Sequence, residues 1–163
     1  MGKHGSAARQ FEKGLELVDS ESSIEAAKRL HYNYGQLLFY GGANRSAREH
    51  YEQAMDFDRK YANPKFGLAQ LEAEENSIEL AVSLFREALD LHAEEGRIEK
   101  WEKIMLETLR TLEANERYEM AIEQCEYAIN MIESIGIAGS PIVYSIQSQK
   151  ARYEEELSGS QGE

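Results

Sequence analysis

Cysteine and proline are nearly absent from this 163-residue sequence, with one of the first and two of the second. A lone Cys125 allows no intramolecular disulfide and no Cys-based zinc cluster. So little proline leaves long stretches free to be helical. Positive charge is also scarce: 18 Lys and Arg against 30 Asp and Glu give a formal net charge of −12. That balance argues against a surface built to coat DNA, RNA or anionic lipid, which needs clustered cations. No apolar run approaches the roughly 20 residues of a membrane span. The start, Met1-Gly2-Lys3-His4-Gly5-Ser6, lacks the apolar core of a secretory signal, so the expected location is cytoplasmic. The same hexapeptide fits the loose spelling of an N-myristoylation signal at Gly2. Asn44-Arg45-Ser46 is a glycosylation sequon by spelling only. What the chain does have is 42% hydrophobic residues, enough for one folded domain.

Chemistry is hard to find. The four histidines, His4, His31, His50 and His92, form no two-His helical pair and no zinc-site spacing, and they read as structural. Glu94-Glu95 and Glu154-Glu155-Glu156 lack the alternating Asp and the Gly of a calcium loop and read as solvated helix faces. Gly41-Gly42 has no following Lys and Ser/Thr, so it is a turn and not a phosphate loop. Cys125 has Glu123 and Glu126 beside it, the opposite of the cationic setting that activates a thiol. The sequence therefore predicts no enzyme, no metal and no cofactor.

A period is present instead. Small–large–small triplets at offsets of four and seven occur as Ala7-Phe11-Gly14, Ala47-Tyr51-Ala54, Ala81-Phe85-Ala88 and Ala121-Cys125-Ala128. Their first members are 40, 34 and 40 residues apart. These offsets put all three side chains on one helical face. Two small residues around a large one let a neighbouring helix approach closely, which places Cys125 in a buried, inert slot. Tyr34-Gly35 before Ala47 and Leu68-Ala69 before Ala81 share one offset, as do Leu37 and Leu71, so each unit holds two helices, A then B. The turns between them, Gly41-Gly42-Ala43-Asn44, Glu75-Asn76 and Ala114-Asn115-Glu116, carry residues that stop or cap helices.

Periodicity predicts helices at about 6–18, 23–40, 45–60, 63–75, 77–95, 98–114, 117–136 and 141–157. Asp19-Ser20-Glu21-Ser22-Ser23 reads as a polar link. Ala138-Gly139-Ser140-Pro141 reads as a stop and a start, with Ser140 as N-cap and Pro141 in the first turn. The helix from 141 carries Ile142, Ile146, Tyr153 and Leu157 on one face, as a capping helix would. Residues 158–163 read as a flexible tail. Residues 6–18 look like a helix B without its helix A, so either the array continues beyond this chain or another molecule covers the open end.

The pattern resembles the tetratricopeptide repeat (TPR) family. The resemblance rests on Gly35, Ala47, Tyr51 and Ala54, then Leu68, Ala69, Ala81, Phe85 and Ala88, then Tyr118, Ala121, Cys125 and Ala128. It spans most of the chain, with mixed 34- and 40-residue units. Leu109 departs from it, standing where a small residue is expected. The resemblance implies an all-α fold: a right-handed superhelical α-solenoid of antiparallel helix pairs with a C-terminal capping helix. The expected divisions are a half repeat at 6–18, repeats at about 23–60, 62–95 and 98–136, and the cap at 141–157, together one domain over 1–157.

In that family helix A lines a concave groove that holds a peptide. Carried over residue by residue, the groove would present Arg29, Tyr32, Asn33, Gln36, Phe39, Tyr40, Asn63, Phe66 and Gln70, and then Lys103, Leu106 and Arg110. Amides can grip a peptide backbone, aromatics supply area, and Arg29, Lys103 and Arg110 favour an acidic residue or C-terminus. The aromatics Tyr32, Phe39 and Phe66 can equally be core. Tyr32 and Gln36 stand where the chaperone-binding carboxylate clamp has Lys and Asn, which argues against that role. The acids fall mainly on helix B faces, turns and the tail, so the expectation is an acidic shell around a less acidic groove. The implied function is a non-catalytic module binding a protein or peptide partner. A scaffold assembling into homo-oligomers, or a peptide-sensing regulator, are the alternatives.

Overall fold

The structure, a computed structural model, describes residues 2–21, 24–136 and 140–160. Among the described residues there are eight α-helices and no strand. They are α1 (Gly2–Glu21), α2 (Ile24–Tyr40), α3 (Asn44–Phe57), α4 (Ala62–Glu74), α5 (Ile78–Glu94), α6 (Ile98–Ala114), α7 (Tyr118–Ser134) and α8 (Pro141–Ser160). The chain divides into two compact units, residues 1–101 and 102–163.

The turns are built alike, and the backbone explains why. Gly42, Asn76, Gly96, Glu116 and Gly136 all have φ between 55° and 81°. At the first four, the next residue's N–H reaches back five positions: Ala43 to Leu38 O, Ser77 to Glu72 O, Arg97 to His92 O and Arg117 to Leu112 O, at 2.8–2.9 Å. This left-handed closure satisfies the last carbonyls of each helix. The following helix needs no side-chain cap, and α3, α5 and α7 have none. Asn44 accordingly does not cap: its Nδ2 donates to Glu74 Oε2 at 3.0 Å. From Asn76 to Gly136 the left-handed residues recur every twenty positions, and α5, α6 and α7 are 17 residues each.

Three expectations change. α1 runs from Gly2 to Glu21, so Asp19, Ser20 and Glu21 are helical and not a link; no Gly or Pro interrupts the chain there. Ser22, Ser23, Ala138 and Gly139 lie outside the described residues. Ser140 does not cap α8 with its side chain, since its Oγ finds no partner; its carbonyl instead accepts from Val143 N–H at 3.1 Å. α8 continues to Ser160, making residues 158–160 helix; 161–163 lie outside the described residues.

In the first unit α2 packs on α3 and α4 on α5, while α1 lies against α2 and α4 also touches α2 and α3. Every member of the triplets Ala47-Tyr51-Ala54 and Ala81-Phe85-Ala88 is fully buried. Tyr51 is the centre. Its ring fits because Gly35 and Gly67 have no side chain: a Cβ would come within 2.7 Å and 2.5 Å of the ring, respectively. Gln36 Nε2 donates to its hydroxyl at 2.8 Å, which keeps a buried O–H from being orphaned. α4, with three neighbours, buries Phe66, Gly67, Leu68, Ala69, Leu71 and Glu72, and Pro64 is accommodated in its first turn, where no N–H is needed.

In the second unit α8 covers α7. Tyr153 is buried, stacks on Tyr118 at 6.2 Å, and lies next to Arg152, whose fork grips Glu113 at 2.8 and 3.0 Å. Cys125 is fully buried, and burial pushes its thiol up to about 12.

Candidate ligand pocket on the first unit

The N-terminal ends of α2, α4 and α6 line one cavity of about 520 Å³ in the first unit. α2 contributes Glu25, Lys28, Arg29, Tyr32 and Asn33; the approach to α4 contributes Tyr61 and Asn63; the turn into α6 contributes Glu95, Arg97 and Lys100. Three helix N-termini bring the positive ends of their dipoles to this wall.

The charges are partly neutralised. Lys28 Nζ sits 2.6 Å from Glu25 and 2.7 Å from Asp58 and lies 5.0 Å above the Tyr61 ring. That contact holds the Asp58 carboxyl below the usual carboxylate range. Arg97 is 3.2 Å from Glu95. Arg29 and Lys100, both exposed, make no ion pair among the described residues. Net positive charge remains on a protein of charge −12.

The pocket floor is aromatic. Tyr32 meets Tyr61 edge-on at 5.8 Å and Tyr51 at 6.1 Å, and burial pushes its hydroxyl up to about 12. Burial also raises Tyr61, whose oxygen accepts from Asn63 Nδ2 at 3.2 Å. Both phenols therefore stay neutral donors at physiological pH.

Three crystal structures share this architecture over nearly the whole chain. One, described as a kinesin light chain of Podosopora anserina with nearly identical TPR-like repeats, matches at 17% identity and a TM-score of 0.70, covering 98% of this chain and 82% of that one. The chain has the TPR-like fold. BtubC (BKLC) from P. vanneervenii aligns with a TM-score of 0.68 at 13% identity, covering 97% of this chain and 76% of that one. MamA gives 0.59 at 14%, covering 97% and 92%. No protein-family model matches the sequence, and no curated protein is significantly similar to it.

Within this TPR-like fold the residues singled out by sequence separate. Arg29, Tyr32, Asn33 and Asn63 line the pocket together. Gln36 is engaged by Tyr51. Phe39 packs against the cluster of Ala47, Tyr51, Leu68 and Leu71, and Phe66 is buried with its ring 5.8 Å from Phe85. Tyr40 is exposed and tilts against Phe39 at 5.4 Å. Gln70 is half-buried. Lys103, Leu106 and Arg110 are exposed on α6 in the second unit, where Arg110 lies 3.9 Å from Glu107.

Sequence reasoning missed Lys28, Tyr61, Arg97 and Lys100. Their signal was available: each lies in or just before the first turns of a helix A, whereas the family analogy directs attention to mid-helix positions. The pocket also holds Glu25 and Glu95, so the acids are not confined to the outer shell. Among the described residues no group of three or more His, Cys, Asp or Glu could hold a metal ion, and no helix is long and apolar enough to cross a membrane.

Proposed function

We propose that the chain is a non-catalytic protein-interaction module that holds an acidic segment of a partner protein in the pocket at the starts of α2, α4 and α6. One observation carries this: Arg29 and Lys100 line a roomy cavity without ion pairs, on a protein otherwise rich in acid. Unpaired cations beside three helix N-termini favour carboxylates. Asn33 and Asn63 can serve the backbone of such a segment, and the tyrosines give it apolar area at small entropic expense. The cytoplasm is the compartment this reading assumes.

The test is a peptide array of acidic nonamers with free or amidated C-termini. Wild-type protein is expected to retain acidic peptides, and Arg29→Glu with Lys100→Glu to lose them while the helical circular dichroism stays intact. Unchanged retention would sink the pocket as the site. A self-assembling scaffold is the second reading, supported by Leu17 and Ile24, which are 63% and 62% exposed; a concentration-independent monomer in light scattering rules it out.

A further inference from the structure

His31 on α2 and His50 on α3 face each other through their Nδ1 atoms, 2.9 Å apart. His31 is buried and His50 half-buried. At that distance one proton fits between the nitrogens, and only one. A neutral pair supplies it through opposite tautomers, and a singly charged pair supplies it from imidazolium to imidazole. A doubly charged pair would set two N–H groups head to head with little water between them, which this geometry does not admit.

The pair connects to α1 through Tyr34. That ring lies 4.5 Å from the His50 ring on one side and stacks on Phe11 of α1 at 5.3 Å on the other. Its hydroxyl donates to Glu12 of α1 at 3.0 Å. His31 in turn stacks on Phe57 at 5.6 Å. The charged and titratable groups that face the pair include Glu12 of α1, through Tyr34 of α2, and Glu49 of α3, with Lys28 one turn before His31 on α2 and Asp58 just past the end of α3. Lys28 is neutralised by Glu25 and Asp58. α4 meets α3 on its Tyr51 side. Burial holds the His50 imidazole below the ordinary histidine range, against the opposing pull of Gln53 and Glu49.

We propose that His31 and His50 form a proton-operated latch on α1, in which uptake of a second proton parts the two rings, displaces Tyr34 and frees α1 from α2. The folded pair binds one proton where two unfolded histidines bind two. The latched form is therefore at full strength above the unfolded histidine value of about 6.5 and weakens as pH falls below it.

Hydrogen–deuterium exchange on the whole chain at about pH 7.5 and about pH 5.5, corrected for intrinsic rates, reads the latch directly. Amides of residues 10–17 are expected to lose protection at the lower pH, by up to about tenfold, the most that one withheld proton costs one unit below the unfolded histidine value, while α7 keeps its protection. His50→Asn, whose amide can bond His31 without a charge, should abolish that response. In wild-type protein, NMR should show the two imidazoles titrating in two separated steps. Unchanged α1 protection, an intact acid response in His50→Asn, or both imidazoles titrating together near the unperturbed value would each overturn the latch. If His50→Asn does not fold at neutral pH, the wild-type exchange and titration decide alone.

Discussion

Gly67 on α4 lies so close to Tyr51 on α3 that a β-carbon added there would sit 2.5 Å from Tyr51 Cζ. The ring cannot retreat, because Tyr51 is fully buried with its hydroxyl tied to Gln36 and Gly35 pressed against its Cδ1–Cε1 edge. Gly67→Ala should therefore destabilise the first unit by about 1–3 kcal/mol through overpacking. Gly42→Ala has open space around the new methyl and meets only the strain of a φ of +76°, about 1 kcal/mol. Urea melts of the two variants should rank them in that order; equal midpoints would mean that α4 can slide away from Tyr51.

Glu116 is a side chain in a glycine's conformation, with φ at 55°, and it occupies the same turn position as Gly96 and Gly136. Its own side chain is exposed, so little is lost on removing it. Glu116→Gly should stabilise the protein by up to about 1 kcal/mol, visible as a higher thermal midpoint. A lower midpoint would show that the glutamate contributes something the backbone strain does not outweigh.

Arg29 and Gln36 lie on the same helix, two turns apart, yet should fail differently. Gln36→Ala leaves the buried Tyr51 hydroxyl without its donor and should cost about 1–2 kcal/mol of stability, with peptide retention unchanged on folded protein. Arg29→Glu should leave the melt within about 0.5 kcal/mol of wild type and remove retention. Chemical denaturation and the peptide array on the same two proteins separate the effects.

Cys125 should be silent in the folded state. Its thiol is fully buried and pushed up to about 12, so at neutral pH it is neither accessible nor ionised. Iodoacetamide labelling followed by intact mass should show no adduct in buffer and one adduct in denaturant. Rapid labelling of native protein would mean that α7 and α8 open readily.

The triplets made the helices legible. Ala47, Tyr51 and Ala54 could be assigned to one buried face from their spacing alone, because small–large–small packing leaves an imprint in any sequence that uses it. The pocket was less legible, and Phe66 shows why. A period marks a face of a helix but not how much of that face its neighbours cover; α4 is enclosed by three helices, so a residue read as groove is core. Arg29 and Asn63 belong to the pocket because they sit at helix starts, beyond that enclosure. Arg97 and Lys100 reach the same pocket from a turn some seventy residues along the chain from Arg29, a juxtaposition that no local pattern records.

The evenly spaced left-handed turns after Asn76 make this part of the chain modular in a specific sense. Any single helix with its turn has the same length as the next, so a duplication or deletion of twenty residues there would leave every turn intact. It would nevertheless scramble the protein, because the buried triplets Ala81-Phe85-Ala88 and Ala121-Cys125-Ala128 recur only every forty residues. The turns keep one rhythm and the packing faces keep another, twice as long. Changes in length that survive in such a chain should therefore come in pairs of helices, never singly.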